Sequence, residues 1–316
     1  MSLAVYQAAP GFAFELAAEL DFLGVDVIER RDPLFLTPGP VRDVAWAQNT
    51  WLEPRFLPAP SIGKGAAGLK SIQRNWDMVE TDEAGQRRRA ELIRQKLPPV
   101  KARPLPFGHP APTAPLGAWT LWKPDSILAS PSTSSPFPQG RVLFEEDREG
   151  PPNRAYLKLW ELFTLLGRAP EPGEMCLDLG GSPGGWAWVL ARLGARVVSL
   201  DKAPLDPKVA ALPGVEERLG SAFALDPAEA ARADWFFSDV ICYPGRLWKL
   251  LSRVMEAAPG LNLACTVKLQ GEVTDWTELA PFRDAHGSRL LHLWHNKHEL
   301  TWVRLAAEKT NDPDDK

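Results

Sequence analysis

The sequence predicts an α/β protein whose second half is a doubly wound, Rossmann-like sheet and whose first half is a smaller α+β region. Three observations carry this prediction. From Pro151 onward, short apolar runs alternate with segments of helical periodicity. A glycine-rich turn at 180–185 follows one of these runs. The 316 residues are enough for about two domains of roughly 100–200 residues each.

Residues 1–60 are predicted to form one ferredoxin-like unit with the order β-α-β-β-α. LAVYQAA is the first strand, and the helix FAFELAAELDFLG ends at Gly24. The next strands are VDVIERR and PLFLTPG. The segment VRDVAWAQNTWL is predicted to be the second helix.

Residues 61–150 are predicted to form a second region, which begins with a basic segment. Residues 62–103 contain ten Lys and Arg against five Asp and Glu, a balance of +5, whereas the whole chain has 36 against 40 and a net charge of −4. The net charge of the whole chain argues against a uniformly basic nucleic-acid binder, but it does not exclude a local basic face. The candidate face consists of Arg87, Arg88, Arg89 and Arg94. The alternative is a solvated helix in which Glu83 pairs with Arg87 and Glu91 with Arg94.

The remainder of this region is rich in proline, with eleven of the chain's 31 prolines in residues 98–138. The run GAWTLWKPDSILAS within it has strand character, which a wholly disordered segment would lack. We therefore expect edge strands and extended loops that act as a stiff connector.

Cysteine usage and hydropathy indicate a reducing, cytoplasmic setting. The three cysteines are widely spaced and form no CxxC pair, which argues against a disulfide framework and a zinc knuckle. The apolar start has no basic region and contains Glu15 and Glu19, so it does not resemble a signal peptide. No run of about 18 apolar residues predicts a membrane span. No metal site is expected, because His292 and His295 would face opposite sides of a predicted strand.

Residues 151–308 are predicted to be the doubly wound domain, followed by a polar tail at 309–316. Its most informative segment is MCLDLGGSPGGWAWVL, in which a strand ends at Leu179 and a helix begins at about Gly185. The segment lacks the Gly-Lys-Ser/Thr of a P-loop and the G-x-G-x-x-G of a dinucleotide site.

An acid, a glycine turn and a second acid suit a nucleoside that carries an amino-acid tail, which describes S-adenosylmethionine. Asp201 closes the next strand, where it can accept hydrogen bonds from ribose hydroxyls. The candidate cofactor-binding residues at this turn and strand end are Asp178, Gly180, Ser182, Pro183, Gly184, Gly185, Trp186 and Asp201. The alternative is a glycine turn that has a structural role only and binds no ligand.

The segment DLGGSPGGW resembles the cofactor motif of the FtsJ-like RNA ribose 2′-O-methyltransferases, whose usual form is DLG-x-x-PGGW. Within that family the chain is most similar to the RlmM type. The resemblance extends over about 153–305 and includes PPNRAYLKLWE, SDV, VKL and HELTWVRL. It is weak over 1–150. It implies a methyltransferase domain, S-adenosylmethionine as cofactor, a cytidine of large-subunit (23S) ribosomal RNA as substrate, and an N-terminal RNA-binding region, here with an abbreviated THUMP-like unit.

The resemblance also implies a catalytic Lys-Asp-Lys-Glu tetrad, matched here by Lys158, Asp239, Lys268 and Glu299. Lys268 is the candidate general base, which requires an unprotonated amine and thus a depressed pKa. The two carboxylates would position the amines, and Asp239 would also contact the cofactor. Ser221 stands where the family often has an acid near the adenine, and Ala155 where the RlmM type can offer a serine.

Three other functions remain open at this point. The chain could be an RNA-binding module with an inactive methyltransferase domain, which the retained tetrad disfavours. It could act on another RNA such as tRNA, or on a small molecule, although 150 residues before the catalytic domain argue against the latter. The oligomeric state is not predicted by any of these patterns.

Overall fold

The computed structural model describes residues 2–82, 84–271 and 274–307, and these residues form two compact units. The first unit comprises residues up to 146 together with 164–167 and 291–294, and the second comprises the others. The predicted polar tail at 309–316 lies outside the described residues. None of the described helices combines the length and the apolar character needed to cross a membrane.

A four-stranded antiparallel sheet opens the first unit. Its strands have the order β2-β3-β1-β4. The elements are β1 (Leu3–Ala8), α1 (Ala13–Phe22), β2 (Glu29–Arg31), β3 (Leu34–Pro38) and β4 (Ala47–Trp51). The first helix and the first three strands are thus those that the sequence predicts.

The predicted helix VRDVAWAQNTWL is wrong, because this segment ends in strand β4. Its backbone groups have partners elsewhere: the N–H groups of Ala45 and Trp46 both donate to the buried carboxylate of Glu19 at 2.8 Å. Trp46 and Trp51 are fully buried. Residues 1–60 therefore have the order β-α-β-β-β-β, with the last strand belonging to a second sheet, and do not complete the ferredoxin-like pattern.

A second four-stranded sheet, ordered β5-β8-β7-β6, completes the first unit. Its elements are β5 (Arg55–Pro58), α2 (Ile62–Lys70), β6 (Trp76–Met78), α3 (Arg87–Arg94), β7 (Gly117–Lys123) and β8 (Ser126–Ser130). Strand β5 pairs with β8, so it belongs to this sheet although it precedes the predicted boundary at residue 60. The expectation of edge strands is wrong, because β7 and β8 occupy the centre. Most prolines of the region lie outside these two strands, whose backbone hydrogen bonds therefore form.

The second unit contains a seven-stranded sheet with the order β11-β10-β9-β12-β13-β15-β14. The strands are β9 (Met175–Leu179), β10 (Arg196–Asp201), β11 (Val215–Leu219), β12 (Trp235–Ser238), β13 (Asn262–Lys268), β14 (Ser288–Leu291) and β15 (Glu299–Arg304). The helices are α4 (Tyr156–Leu166), α5 (Gly185–Arg192), α6 (Pro207–Ala210), α7 (Pro227–Ala230), α8 (Pro244–Ala257) and α9 (Trp276–Asp284).

The pairs among β9 to β13 are parallel, whereas β15 is antiparallel to β13. This mostly parallel sheet confirms the predicted α/β class. The strand order reverses between β9 and β12, and ligands of such sheets bind at the carboxyl ends of the strands beside that point. A ligand site is therefore expected at the residues that follow β9, β12 and β13.

Candidate active site

Four charged residues meet at the carboxyl edge of the seven-stranded sheet. Lys158 lies in the first turn of α4, and Asp239 directly follows β12. Lys268 is the last residue of β13 and Glu299 the first of β15, and the antiparallel register places these two opposite each other. The sequence-predicted tetrad is therefore assembled in one place.

The four side chains form a closed ring of alternating charge. The Lys158 Nζ donates to both oxygens of Asp239 at 2.9 Å and to Glu299 Oε1 at 3.1 Å. The Lys268 Nζ donates to Asp239 Oδ1 and to Glu299 Oε2, each at 2.6 Å. Two ammonium groups and two carboxylates thus compensate one another in a largely buried setting, where an unpaired charge would be costly.

The charges of the ring shift the pKa values of its members. Burial alone would raise the pKa of Asp239, but the neighbouring Lys158 and Lys268 outweigh it and hold that pKa below its ordinary value. The pKa of Glu299 is lowered in the same way against the effect of burial. Both carboxylates are therefore ionised at neutral pH.

The expectation of a depressed pKa for Lys268 is wrong for this arrangement. Burial would lower the pKa, but the carboxylates of Asp239 and Glu299 reverse that effect and raise it. The resemblance implied only that the two carboxylates would position the amines. It did not reveal that both carboxylates would lie within hydrogen-bonding distance of the amine.

The glycine turn lies beside this ring and requires glycine at two positions. Gly180 and Gly184 have φ values of +76° and +115°. A Cβ on Gly180 would lie 2.7 Å from the Cα of Val240, the residue after Asp239. Gly184 forms the N-cap of α5 and provides no side chain to it. The turn therefore brings bare backbone close to the tetrad, and the start of α5 has no side-chain cap, as at helix N-termini that bind anionic groups.

Asp201 supports this turn. Its Oδ2 accepts a hydrogen bond from the Ser182 N–H and its Oδ1 one from the Ala203 N–H, both at 3.1 Å. The Ser182 hydroxyl donates to the Pro204 carbonyl at 2.8 Å. Each carboxylate oxygen retains a further lone pair for a ligand. Pro183 lies in the same turn directly after Ser182, and Gly185 is the first residue of α5.

Asp178 lies beneath the turn and is fully buried. Its Oδ2 accepts a hydrogen bond from the Ser199 hydroxyl at 3.2 Å. Burial raises its pKa to about 7, against the opposing effect of the Ser199 bond. The bond to Ser199 links the end of β9 to β10.

Replacing Asp178 with asparagine is expected to flatten the dependence of stability on pH. The folded-state pKa of about 7 lies above the unfolded value of about 3.9, so the wild-type protein loses stability as pH rises between these values. Each unit of pKa difference corresponds to about 1.4 kcal/mol. Denaturant unfolding at pH 5 and pH 7.5 measures the change, with Ser199→Ala as a control that leaves the carboxyl in place. An equal pH dependence of stability in Asp178→Asn and wild type would contradict a raised pKa of Asp178 in the folded protein.

Two further predicted cofactor residues take different positions. Trp186 is buried against α4, where its Nε1 donates to the Ala155 carbonyl at 3.0 Å and its ring centroid lies 5.7 Å from the Lys158 Nζ. Ser221 lines a cavity of about 160 Å³ together with Leu179 and Leu200. Its hydroxyl accepts a hydrogen bond from the Phe223 N–H at 3.3 Å.

The four predicted RNA-binding arginines lie on α3 in the first unit, and three of them have partners within that unit. Arg94 pairs with Glu91 at 2.6 Å, and Arg87 pairs with Glu80 at 3.2 Å. Arg89 donates to the Ala59 carbonyl at 2.8 Å. Arg88 is exposed and forms no ion pair with any residue that the structure describes. The Glu91–Arg94 pair of the solvated-helix alternative is thus confirmed. Its Glu83–Arg87 pair is not tested, because Glu83 lies outside the described residues, and the described partner of Arg87 is Glu80.

The histidine cluster is not a strand face, because β14 ends at Leu291, before both His292 and His295. His292 is buried in the first unit, 4.6 Å from the ring centroid of Phe12 and 4.8 Å from that of Trp46. Among the described residues, no group of His, Cys, Asp and Glu side chains is arranged to hold a metal ion.

Sequence reasoning missed a buried pair next to the tetrad. Glu161, one turn after Lys158 in α4, is fully buried, and its Oε2 lies 2.6 Å from the His295 Nδ1 and accepts from the His295 N–H at 3.0 Å. The adjacent Asn296 donates to the Glu299 carbonyl at 3.2 Å. These bonds fix the segment that leads into Glu299. The available signal was a glutamate inside the otherwise apolar run LWELF.

The part of the chain that carries most of this site matches a known protein family. Residues 151–267 match the family model described as FtsJ-like methyltransferase, which confirms the resemblance for this part of the chain. This part of the chain is thus similar to FtsJ-like methyltransferases.

Two curated relatives are both called ribosomal RNA large subunit methyltransferase M. The protein of Halorhodospira halophila is 32% identical over 169 residues, which cover 51% of this chain and 49% of that protein. The protein of Thauera aminoaromatica is 29% identical over 214 residues, 62% of this chain and 56% of that protein. The chain therefore spans about half the length of the curated relatives it matches. Among solved structures, TrmN from Thermus thermophilus covers 97% of this chain and 100% of that chain, at 14% identity and a TM-score of 0.35.

Proposed function

We propose that this protein transfers a methyl group from S-adenosylmethionine to a ribose 2′-hydroxyl of RNA. The observation that carries the proposal is the buried Lys-Asp-Lys-Glu ring beside a glycine turn at the carboxyl edge of the sheet. The FtsJ-like match over 151–267 supports the same chemistry.

The residues present fit S-adenosylmethionine. The N-cap of α5 is a glycine without a side-chain cap, which suits the cofactor's carboxylate. The cavity at Ser221 is lined mostly by apolar side chains with a few polar groups, which suits a flat adenine ring that carries both an apolar face and polar edge atoms. We assign the remaining turn residues and Asp201 to the ribose and the amino-acid tail. When bound, the cofactor would supply an electrophilic methyl group, and breaking its sulfur–methyl bond would leave a neutral thioether.

The ring residues provide what the acceptor hydroxyl needs. As the new oxygen–carbon bond forms, the hydroxyl proton must leave, and the Lys268 amine is its acceptor. Lys268 must first lose the proton that the two carboxylates stabilise. Asp239 and Glu299 then stabilise the ammonium that the reaction regenerates, and Lys158 holds both carboxylates in place.

The names of the curated relatives support large-subunit ribosomal RNA as the substrate. The resemblance to the RlmM type adds a cytidine as the methylated nucleotide, and we propose that the reaction takes place in the cytoplasm. We propose that the first unit is a THUMP-like region that binds this RNA. The direct test incubates the protein with in vitro transcribed large-subunit RNA and S-adenosylmethionine labelled on its methyl group. We expect label in the RNA. Cofactor binding without transfer to any RNA would support an inactive methyltransferase domain instead.

Within the first unit, Arg88 is the arginine of α3 that we expect to contact RNA. Reversing its charge in Arg88→Glu is expected to weaken RNA binding and to lower the slope of log affinity against log salt by about 0.7, the value for one lost contact with a single strand. Filter binding at several salt concentrations measures both. Arg55→Glu, the same change on the exposed start of β5, is the control. Identical binding by both variants would remove α3 from the RNA surface.

A further inference from the structure

One exposed surface begins directly after the catalytic Asp239. Ile241 and Tyr243 are 81% and 62% exposed, whereas Cys242 between them is buried. Large apolar side chains so exposed beside a catalytic group are candidates for contact with a substrate. Tyr243 is also the N-cap of α8, with an extended backbone, so its position is fixed by the helix that it precedes.

The exposed face of α8 continues this surface with positive charge. Arg246, Lys249 and Arg253 are exposed and lie at the spacing i, i+3 and i+7, which places them on one side of the helix. The opposite side is buried through Leu247, Leu250, Leu251 and Val254. The three cations extend over about 10 Å at 1.5 Å per residue.

The described acidic side chains do not neutralise these three cations. Among the residues that the structure describes, none of the three lies in a salt bridge, and the one acid of α8 is Glu256 at its far end. The Arg246 guanidinium stacks 3.8 Å from the ring centroid of Phe223, which orders it without neutralising its charge. This differs from the predicted arginines of α3, where Arg87 and Arg94 pair with acids.

We propose that Ile241, Tyr243 and the α8 cations form an RNA-docking surface, here called the α8 surface, which holds the strand that enters the active site. The aromatic ring of Tyr243 stacks on a base close to the methylated nucleotide, and the cations bind successive phosphates. This inference rests on the proposed function. It names the segment of the methyltransferase domain that selects single-stranded RNA, because stacking requires an unpaired base.

The charge arm of the test compares Lys249→Glu/Arg253→Glu with Arg192→Glu/Arg232→Glu, the same changes at exposed positions near the amino edge of the same sheet. We expect the α8 double variant to raise the KM for the RNA transcript at least tenfold. Removing two phosphate contacts should also lower the salt slope of binding by about 1.4. Equal behaviour of the two double variants would overturn the proposal.

The stacking arm compares Tyr243→Ala with Tyr243→Phe. We expect about a tenfold rise in KM for the alanine variant and recovery to near the wild-type value for phenylalanine, which keeps the ring. A role for the hydroxyl, or a purely structural role of the N-cap, would make both variants alike and would contradict stacking.

Two measurements separate this proposal from the one on which it rests. If the wild-type protein transfers no methyl group, the proposed function fails, but filter binding of the same variants to the transcript still tests the α8 surface. If the surface instead joins two copies of the chain, sedimentation will show a wild-type dimer that the Lys249→Glu/Arg253→Glu variant dissociates while RNA binding is unchanged. That result would overturn the docking proposal.

Discussion

Replacing Lys268 with methionine is expected to lower kcat for methyl transfer by about 10² to 10⁴, the usual contribution of a positioned general base. The methionine fills nearly the same space up to Cε but lacks the amine and cannot accept a proton. Because Lys268 is held through its ammonium group by Asp239 and Glu299, its loss also leaves those carboxylates with Lys158 alone. Methyl transfer under single-turnover conditions measures the chemical step.

The pH profile distinguishes a base from a merely structural lysine. Because the two carboxylates raise the pKa of Lys268, the neutral amine is scarce at pH 7, and the wild-type rate should increase about tenfold per pH unit below that pKa. The methionine variant should lose this increase and still bind S-adenosylmethionine, as measured by calorimetry. A variant with comparable activity, or with an unchanged pH slope, would contradict the assignment of Lys268 as base.

Replacing Gly180 with alanine is expected to weaken binding of S-adenosylmethionine at least tenfold and to reduce turnover further. A left-handed backbone costs a non-glycine residue about 1–2 kcal/mol. Here the added Cβ would also lie 2.7 Å from the Cα and 2.8 Å from the N of Val240, which no side-chain rotation can relieve. Val240 must therefore shift, and Asp239 with it.

The matched control is Gly287→Ala, which carries the same backbone strain at φ +73° but has no neighbour within 4 Å of the added Cβ. We expect the control to lose some thermal stability and to keep its cofactor affinity. Calorimetric titration with S-adenosylmethionine compares the two variants. Equal affinities would show that the contact between the turn and Val240 does not shape the cofactor site.

The sequence was sufficient to place the tetrad, and the reason is physical. Asp239 follows β12, Lys268 ends β13 and Glu299 begins the antiparallel β15, so the chain order alone brings three of the four to one edge of the sheet. Lys158 comes from a helix, and its position depended on the resemblance. The protonation of Lys268 could not be predicted, because it depends on how close both carboxylates lie to the amine, 2.6 Å in each case.

The first half shows where local patterns mislead. The segment 41–52 has helical spacing, yet the distant carboxylate of Glu19 binds its N–H groups and β1 pairs with its end. The arginines of α3 were the obvious basic cluster in the sequence. The basic face of α8 was hidden, because its three cations are separated by the apolar residues that bury the opposite side. Only the fold shows that this face starts at the active site.

The central claim is that the acceptor is a ribose 2′-hydroxyl, and alkaline hydrolysis of the labelled RNA tests it most directly. Alkali cleaves RNA through the free 2′-hydroxyl, so a methylated ribose protects the adjoining phosphodiester bond. If the charged ring that contains Lys268 and Asp239 acts on a ribose hydroxyl, the label will appear in alkali-resistant dinucleotides. Label recovered in mononucleotides would show methylation of a base and would contradict the proposed function.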